Sequence, residues 1–118
     1  MKTNHDLRLT VTLRLLDGEG HRRFGPGVAA LLAGVREHRS LRAAAASMGM
    51  AYSKAWRIVR TAEEALGYKL LSSTVGGRNG GGAALTAEAE ALLAAYQALW
   101  DQVSAFAQER FQECFRDL

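Results

Sequence analysis

The chain has a single cysteine, Cys114, among its 118 residues, so no internal disulfide is possible. That scarcity agrees with a reducing cytoplasm, which is the compartment expected. No run of 18 apolar residues occurs, so the sequence predicts no membrane-spanning helix. The first residues, MKTNHDLRLTVTLRL, alternate polar and apolar and lack the apolar block of a signal peptide. The three histidines, His5, His21 and His38, have no metal-ligand spacing among themselves or with Cys114. No nucleophile sits in a recognisable catalytic motif. Glu63 and Glu64 are adjacent on a helix, point in different directions, and read as solvated or ion-paired. The glycine-rich stretch is not a nucleotide-phosphate loop, because G-x-x-x-x-G-K-[ST] is absent. An enzyme, a metal site and a cofactor are therefore not expected. No internal repeat or low-complexity linker is visible.

What is present is charge in an uneven distribution. Residues 1–85 carry 13 Lys/Arg against 6 Asp/Glu, whereas residues 86–118 carry 2 against 6. A basic body attracts phosphate backbones by releasing their condensed counterions, and an acidic tail is repelled by them. The length is that of one domain, so a single domain over 1–118 is expected.

Residues 7–15 alternate strictly, with Leu7, Leu9, Val11, Leu13 and Leu15 on one face. Arg8, Thr10, Thr12 and Arg14 occupy the other. This is the pattern of a half-buried strand. Asp17-Gly18-Glu19-Gly20 supplies a turn and residues 21–24 a return strand, giving a β-hairpin over 6–24. Three helices are expected over 26–66. Pro26 opens the first, which runs to about His38 with Val28, Leu31, Leu32 and Val35 at helical spacing. Ser40 is a good N-cap for an alanine-dense second helix over 41–48. Gly49 suits the left-handed turn that follows it. The third helix covers about 52–66, with Ala55, Ile58 or Val59, Ala62 and Leu66 inward, and Gly67 stops it.

Residues 40–66 thus form a helix–turn–helix, a device for placing side chains in the DNA major groove. Tyr52, Ser53, Lys54 and Arg57 crowd the start of the second helix of that pair. Arg57 is long enough to meet guanine O6 and N7 together, and Lys54 can do likewise or bind phosphate. Arg60, one turn on, suits the DNA backbone, and Ser40 and Arg42 belong to the same surface. Arg36 and Arg39 also surround the motif. Trp56, beside Ala55 and Ile58, is expected in the core.

A second hairpin over 70–85 would be the wing, with Arg78 and Asn79 in its glycine-rich tip, available to a minor groove or to phosphates. Thr86 then caps a final helix over 86–115, with Glu88 and Glu90 at its positive end. Leu92, Tyr96, Leu99, Val103 and Phe106 alternate by three and four, an a/d seam that suits a homodimer. Cys114, on a second apolar stripe, is expected to be a buried small hydrophobe.

GPGVAALLAGVREHRSLRAAAASMGMAYSKAWRIVRTAEEALGYKLL resembles the DNA-binding domain of molybdate-dependent regulators of the ModE type, which are related to LysR-type DNA-binding domains. The marks are Ala44-Ala45-Ala46 with Gly49, the run Tyr52 to Trp56, Gly76-Gly77 with Gly80-Gly81-Gly82-Ala83, and Leu85-Thr86. The likeness implies a mainly α, α+β fold: a winged helix–turn–helix with an N-terminal hairpin, a wing and a long dimerisation helix. It implies a dimer on a palindromic operator of double-stranded DNA, with Tyr52, Ser53, Lys54 and Arg57 on the recognition helix and Arg78 on the wing. Full-length members carry C-terminal molybdate-binding domains, which these 118 residues do not include, so the resemblance names no small-molecule effector. Two other readings stay open. One is a protein-interaction module built on the last helix, and the other an oxyanion-binding protein of the molybdenum pathway.

Overall fold

The computed structural model describes residues 6–74 and 82–118. Arg78 and Asn79, expected at the tip of the wing, lie outside the described residues. In chain order the elements are β1 (Leu15–Leu16), β2 (Arg22–Phe24), α1 (Pro26–His38), α2 (Leu41–Ser47), α3 (Tyr52–Leu66), β3 (Leu71–Thr74), β4 (Gly82–Leu85) and α4 (Ala87–Cys114).

The N-terminal hairpin is much shorter than the alternation predicts. β1 pairs antiparallel with β2 only through Leu15 with Phe24 and Leu16 with Arg22. The cause lies in the partner strand: Phe24 is followed by Gly25 and by Pro26 at the first turn of α1, so the return strand ends there. Residues 7–14 carry no ladder and lean on α4 instead. The Gln108 side chain donates to the Leu9 carbonyl at 2.9 Å, and the Tyr96 hydroxyl donates to the Leu13 carbonyl at 2.8 Å. Leu9, Val11, Leu13 and Leu15 are still the more buried set, so the alternation reports a covered face without a paired neighbour. The turn is closed by Asp17, whose carboxylate accepts from the backbone N–H of Glu19 and His21 and from Arg23 Nε.

α1 and α2 cross closely. A Cβ on Gly34 would lie 2.9 Å from the Ala44 Cβ, so this crossing requires a glycine. The Ser40 hydroxyl caps α2 by accepting from the Ala43 N–H at 3.0 Å. Arg39, between the helices, is left-handed at φ 59, and its carbonyl accepts from the Ala83 N–H at 3.0 Å. That bond ties the α1–α2 corner to the second wing strand. Gly49, at φ 66, makes the sharp turn into α3, and Gly67, at φ 83, ends α3.

α3 buries Ala55, Val59 and Ala62 against a core that also holds Phe24, Leu31, Leu32, Val35, Leu70 and Tyr96. β3 and β4 pair antiparallel, Leu71 with Leu85 through Thr74 with Gly82. Thr86 fixes the exit. Its hydroxyl accepts from the Ala89 N–H and donates to the Lys69 carbonyl. α4 then runs 28 residues, about 42 Å at 1.5 Å per residue. Only Ala89, Leu93 and Tyr96, in its first third, are buried. The radius of gyration is 17.9 Å, against about 13 to 14 Å for a compact domain of this length. The projecting second half of α4 accounts for the elongation.

Candidate nucleic-acid interface

α3 has one exposed side, and its periodicity sorts its side chains. At 100° per residue, Ala55, Val59 and Ala62 share the inward stripe. Ser53 and Arg57 fall on the opposite side, with Tyr52, Trp56 and Arg60 along one flank and Lys54, Arg57 and Thr61 along the other. Tyr52, Ser53, Lys54, Arg57 and Arg60 are all exposed, so the structure brings the expected set onto one helical surface. Lys54 and Arg57 have no ion-pair partner among the described residues. Their positive charge is therefore uncompensated within the described chain.

The flank toward the wing is a cleft of about 580 Å³ lined by Arg42, Tyr52, Trp56, Arg60, Ser72 and Ser73, among others. Two cation–aromatic stacks organise it. The Arg42 guanidinium lies 4.2 Å from the Tyr52 ring centre and that of Arg60 lies 5.1 Å from the Trp56 ring centre. Such stacks hold an arginine in place while leaving its N–H groups free for an acceptor.

Trp56 departs from expectation. It is 48% exposed and lines this cleft instead of the core. The physical reason is angular: one step from buried Ala55 turns the side chain by 100°, off the inward stripe. Ser40 belongs to the same neighbourhood in sequence, but its hydroxyl is committed to capping α2. Arg36 is paired with Glu90 of α4 through two contacts of 3.2 and 2.9 Å, so it braces the body.

Glu63, expected to be solvated or ion-paired, is a positioning residue for the wing. Its carboxylate accepts from the Leu70 N–H at 2.8 Å and the Leu71 N–H at 3.4 Å. Its side chain is only 9% exposed, and Lys69 Nζ stands 3.9 Å away. One carboxylate thus fixes the end of α3 to the entry of the wing. No local pattern announces a side chain that accepts from a backbone seven residues on.

The predicted seam on α4 divides. Tyr96 is 5% exposed, packs edge-on to Phe24 at 5.0 Å, and donates to Leu13, so it belongs to this chain's own core. Heptad spacing placed it with the interface residues, but its packing is intramolecular. Burial raises the Tyr96 hydroxyl above its ordinary pKa, with Arg14 opposing. Leu92 is half-buried against the same core and Val103 is partly buried. Leu99 and Phe106 are 45% and 66% exposed. Cys114 is exposed too, contrary to the expected burial, with Arg110 Nη2 3.7 Å from its sulfur. Among the described residues no group of three His, Cys, Asp or Glu is placed to hold a metal ion, and no helix is long and apolar enough to cross a membrane.

A helix–turn–helix whose second helix lies exposed beside a two-stranded wing defines the winged helix–turn–helix class. Residues 29–90 match the bacterial regulatory helix–turn–helix protein family of the LysR type. The chain belongs to that family. It is 39% identical over 77 residues to the molybdenum-pterin-binding protein MopB of Rhodobacter capsulatus, a match covering 65% of this chain and 28% of that one. The chain therefore matches little more than a quarter of that curated relative. Two solved structures share the fold. The CbnR DNA-binding domain in a DNA complex superposes with a TM-score of 0.57 at 20% identity, covering 75% of this chain and 94% of that one. The BenM DNA-binding domain with benA site 1 DNA gives 0.55 at 22% identity, covering 75% and 93%.

Proposed function

We propose that this chain is a sequence-specific DNA-binding regulator whose α3 enters the major groove of double-stranded DNA. The observation that carries the reading is the exposed face of α3, on which Ser53 stands beside Lys54 and Arg57, two cations with no ion-pair partner among the described residues. Arg57 reads a base edge, and Lys54 and Ser53 contact bases or phosphate. Tyr52, Arg42 and Arg60 bind backbone, with Trp56 holding Arg60 in place. Arg78 and Asn79 on the wing reach the adjacent groove or its phosphates. Membership of a regulatory helix–turn–helix family supports the reading.

The working unit is a homodimer on a palindromic operator. Leu99, Val103 and Phe106, on the part of α4 beyond the core, supply its interface. An apolar side chain as exposed as Phe106 on a projecting helix is unfavourably solvated, and burying it against a second copy lowers the free energy. The likeness to MopB supports a role in molybdenum metabolism. An electrophoretic shift with the protein's own upstream DNA tests the core of the reading. The wild type should give a shift that unlabelled upstream DNA competes better than random DNA does. Lys54→Ala with Arg57→Ala should abolish that preference, and a preference left unchanged would refute the assignment of these two residues.

A further inference from the structure

The flank of α3 away from the wing opens on a second groove, of about 560 Å³, between the recognition helix and the N-terminal hairpin. Its charged lining is entirely basic: Arg14, Arg22 and Arg23 from the hairpin side and Lys54 and Arg57 from α3. Arg23 is neutralised by Asp17, Nε to Oδ2 3.0 Å. Arg14 and Arg22 are exposed and have no ion-pair partner among the described residues. The stem of Arg14 rests over Gly25, 3.4 Å from where a Cβ would stand, which seats it beside the first turn of α1. That turn begins with Pro26 and has no side-chain cap, so its positive end adds to the same field. Four uncompensated cations around one open groove repel each other unless an anion is shared among them.

We propose that the N-terminal hairpin is a second DNA-contacting arm, in which Arg14 and Arg22 bind backbone phosphates on the side of the recognition helix opposite the wing. The proposal rests on α3 docking in the major groove. It adds that the footprint extends past the helix–turn–helix, into a region that the family match over residues 29–90 does not cover. The groove shares Lys54 and Arg57 with the reading face, so a strand leaving the α3 contacts passes directly over Arg14 and Arg22. Its openness suits a polymer backbone, which must enter and leave. The ligand chemistry is that of a phosphate oxyanion, and the source is the phosphodiester.

Salt dependence tests it, with a random-sequence duplex about three helical turns long as the probe. Arg14→Gln with Arg22→Gln keeps the side-chain stems and should lower the slope of log affinity against log salt by about 2, near 0.9 for each phosphate that is no longer neutralised. The weakening should be uniform across sequences. The same two-charge change at Arg110 and Arg116, on the acidic tail, should leave the slope within about 0.5 of wild type, well below the change for one phosphate. Arg22→Gln alone, at an exposed strand position, should lower it by about 1 and covers the case in which the double variant misfolds. An unchanged slope in the groove variants, or an equal drop in the tail variant, overturns the arm while leaving the α3 reading intact. Saturable binding of inorganic phosphate by the DNA-free protein, abolished in the double variant while the slope stays unchanged, assigns the groove to a free oxyanion and also overturns it. A wild type that binds no duplex even at about 50 mM salt overturns the arm and the α3 reading together.

Discussion

Replacing Glu63 with alanine isolates the joint between the recognition helix and the wing. The Glu63 carboxylate accepts from the Leu70 N–H at 2.8 Å, and Leu70 is fully buried. Alanine leaves that N–H without its partner in a site that water does not reach. A hydrogen bond to a charged acceptor contributes about 1.5–3 kcal/mol. The longer contact from Leu71, at 3.4 Å, adds little. The Lys69 ammonium is mostly solvated, so its ion pair contributes at most about 1 kcal/mol. Alanine returns a few tenths of a kcal/mol through its helix propensity. The net expectation is a loss of about 2 kcal/mol, or roughly 6–12 °C in Tm for a domain of this size. Glu63→Gln keeps a neutral acceptor and should lose about half as much. Urea unfolding measures the stability, and hydrogen exchange at the Leu70 amide locates the change. An alanine variant within about 0.5 kcal/mol of wild type, with Leu70 protection unchanged, would refute the joint.

Three further outcomes follow from other parts of the molecule. Gly34→Ala drives a methyl group to 2.9 Å from the Ala44 Cβ and should destabilise by about 1–3 kcal/mol in urea unfolding; a neutral result would mean that α1 and α2 cross less closely. The Asp17 carboxyl is held at about 2, chiefly by the His21 backbone N–H, with Glu19 and Arg23 adding and desolvation opposing. A depressed carboxylate stabilises above its ordinary value of 3.8 and loses that effect as pH falls through about 2, so the Glu19 and His21 amide resonances should titrate near 2 and not near 4. Under the proposed dimer, the wild type should sediment as a dimer, and Phe106→Asp should sediment as a monomer with the melting of the monomer unit intact; a wild type that sediments as a monomer, or a variant that sediments as the wild type does, would refute the α4 interface.

Much of the body was legible in the residues. The bounds of α1 and α3 follow from Pro26, Gly67 and the inward spacing of apolar residues, because these act within a few residues of the chain. The readings that failed depend on partners distant in sequence. Alternation over 7–15 reveals a covered face, yet a strand also needs a neighbour, and the chain after Phe24 turns into α1. The spacing of Tyr96 with Leu92 and Leu99 is the same whether the stripe meets its own core or a second copy, and Phe24 claims Tyr96. Trp56 follows a buried alanine, but angular position decides its side. Of the candidate site, the α3 residues could be read from composition and position. The joint made by Glu63 and the basic groove lined by Arg14 and Arg22 could not, because each depends on a segment that packs beside it only after folding.

The claim that α3 reads DNA is tested most directly by nuclease footprinting on the protein's own upstream region. Protection of two half-sites related by two-fold symmetry, about one helical turn apart, is expected. Arg57→Ala should weaken that site by about 1–3 kcal/mol without weakening random DNA as much. Absence of any protected site, or a footprint and affinity that Arg57→Ala leaves unchanged, would contradict the claim.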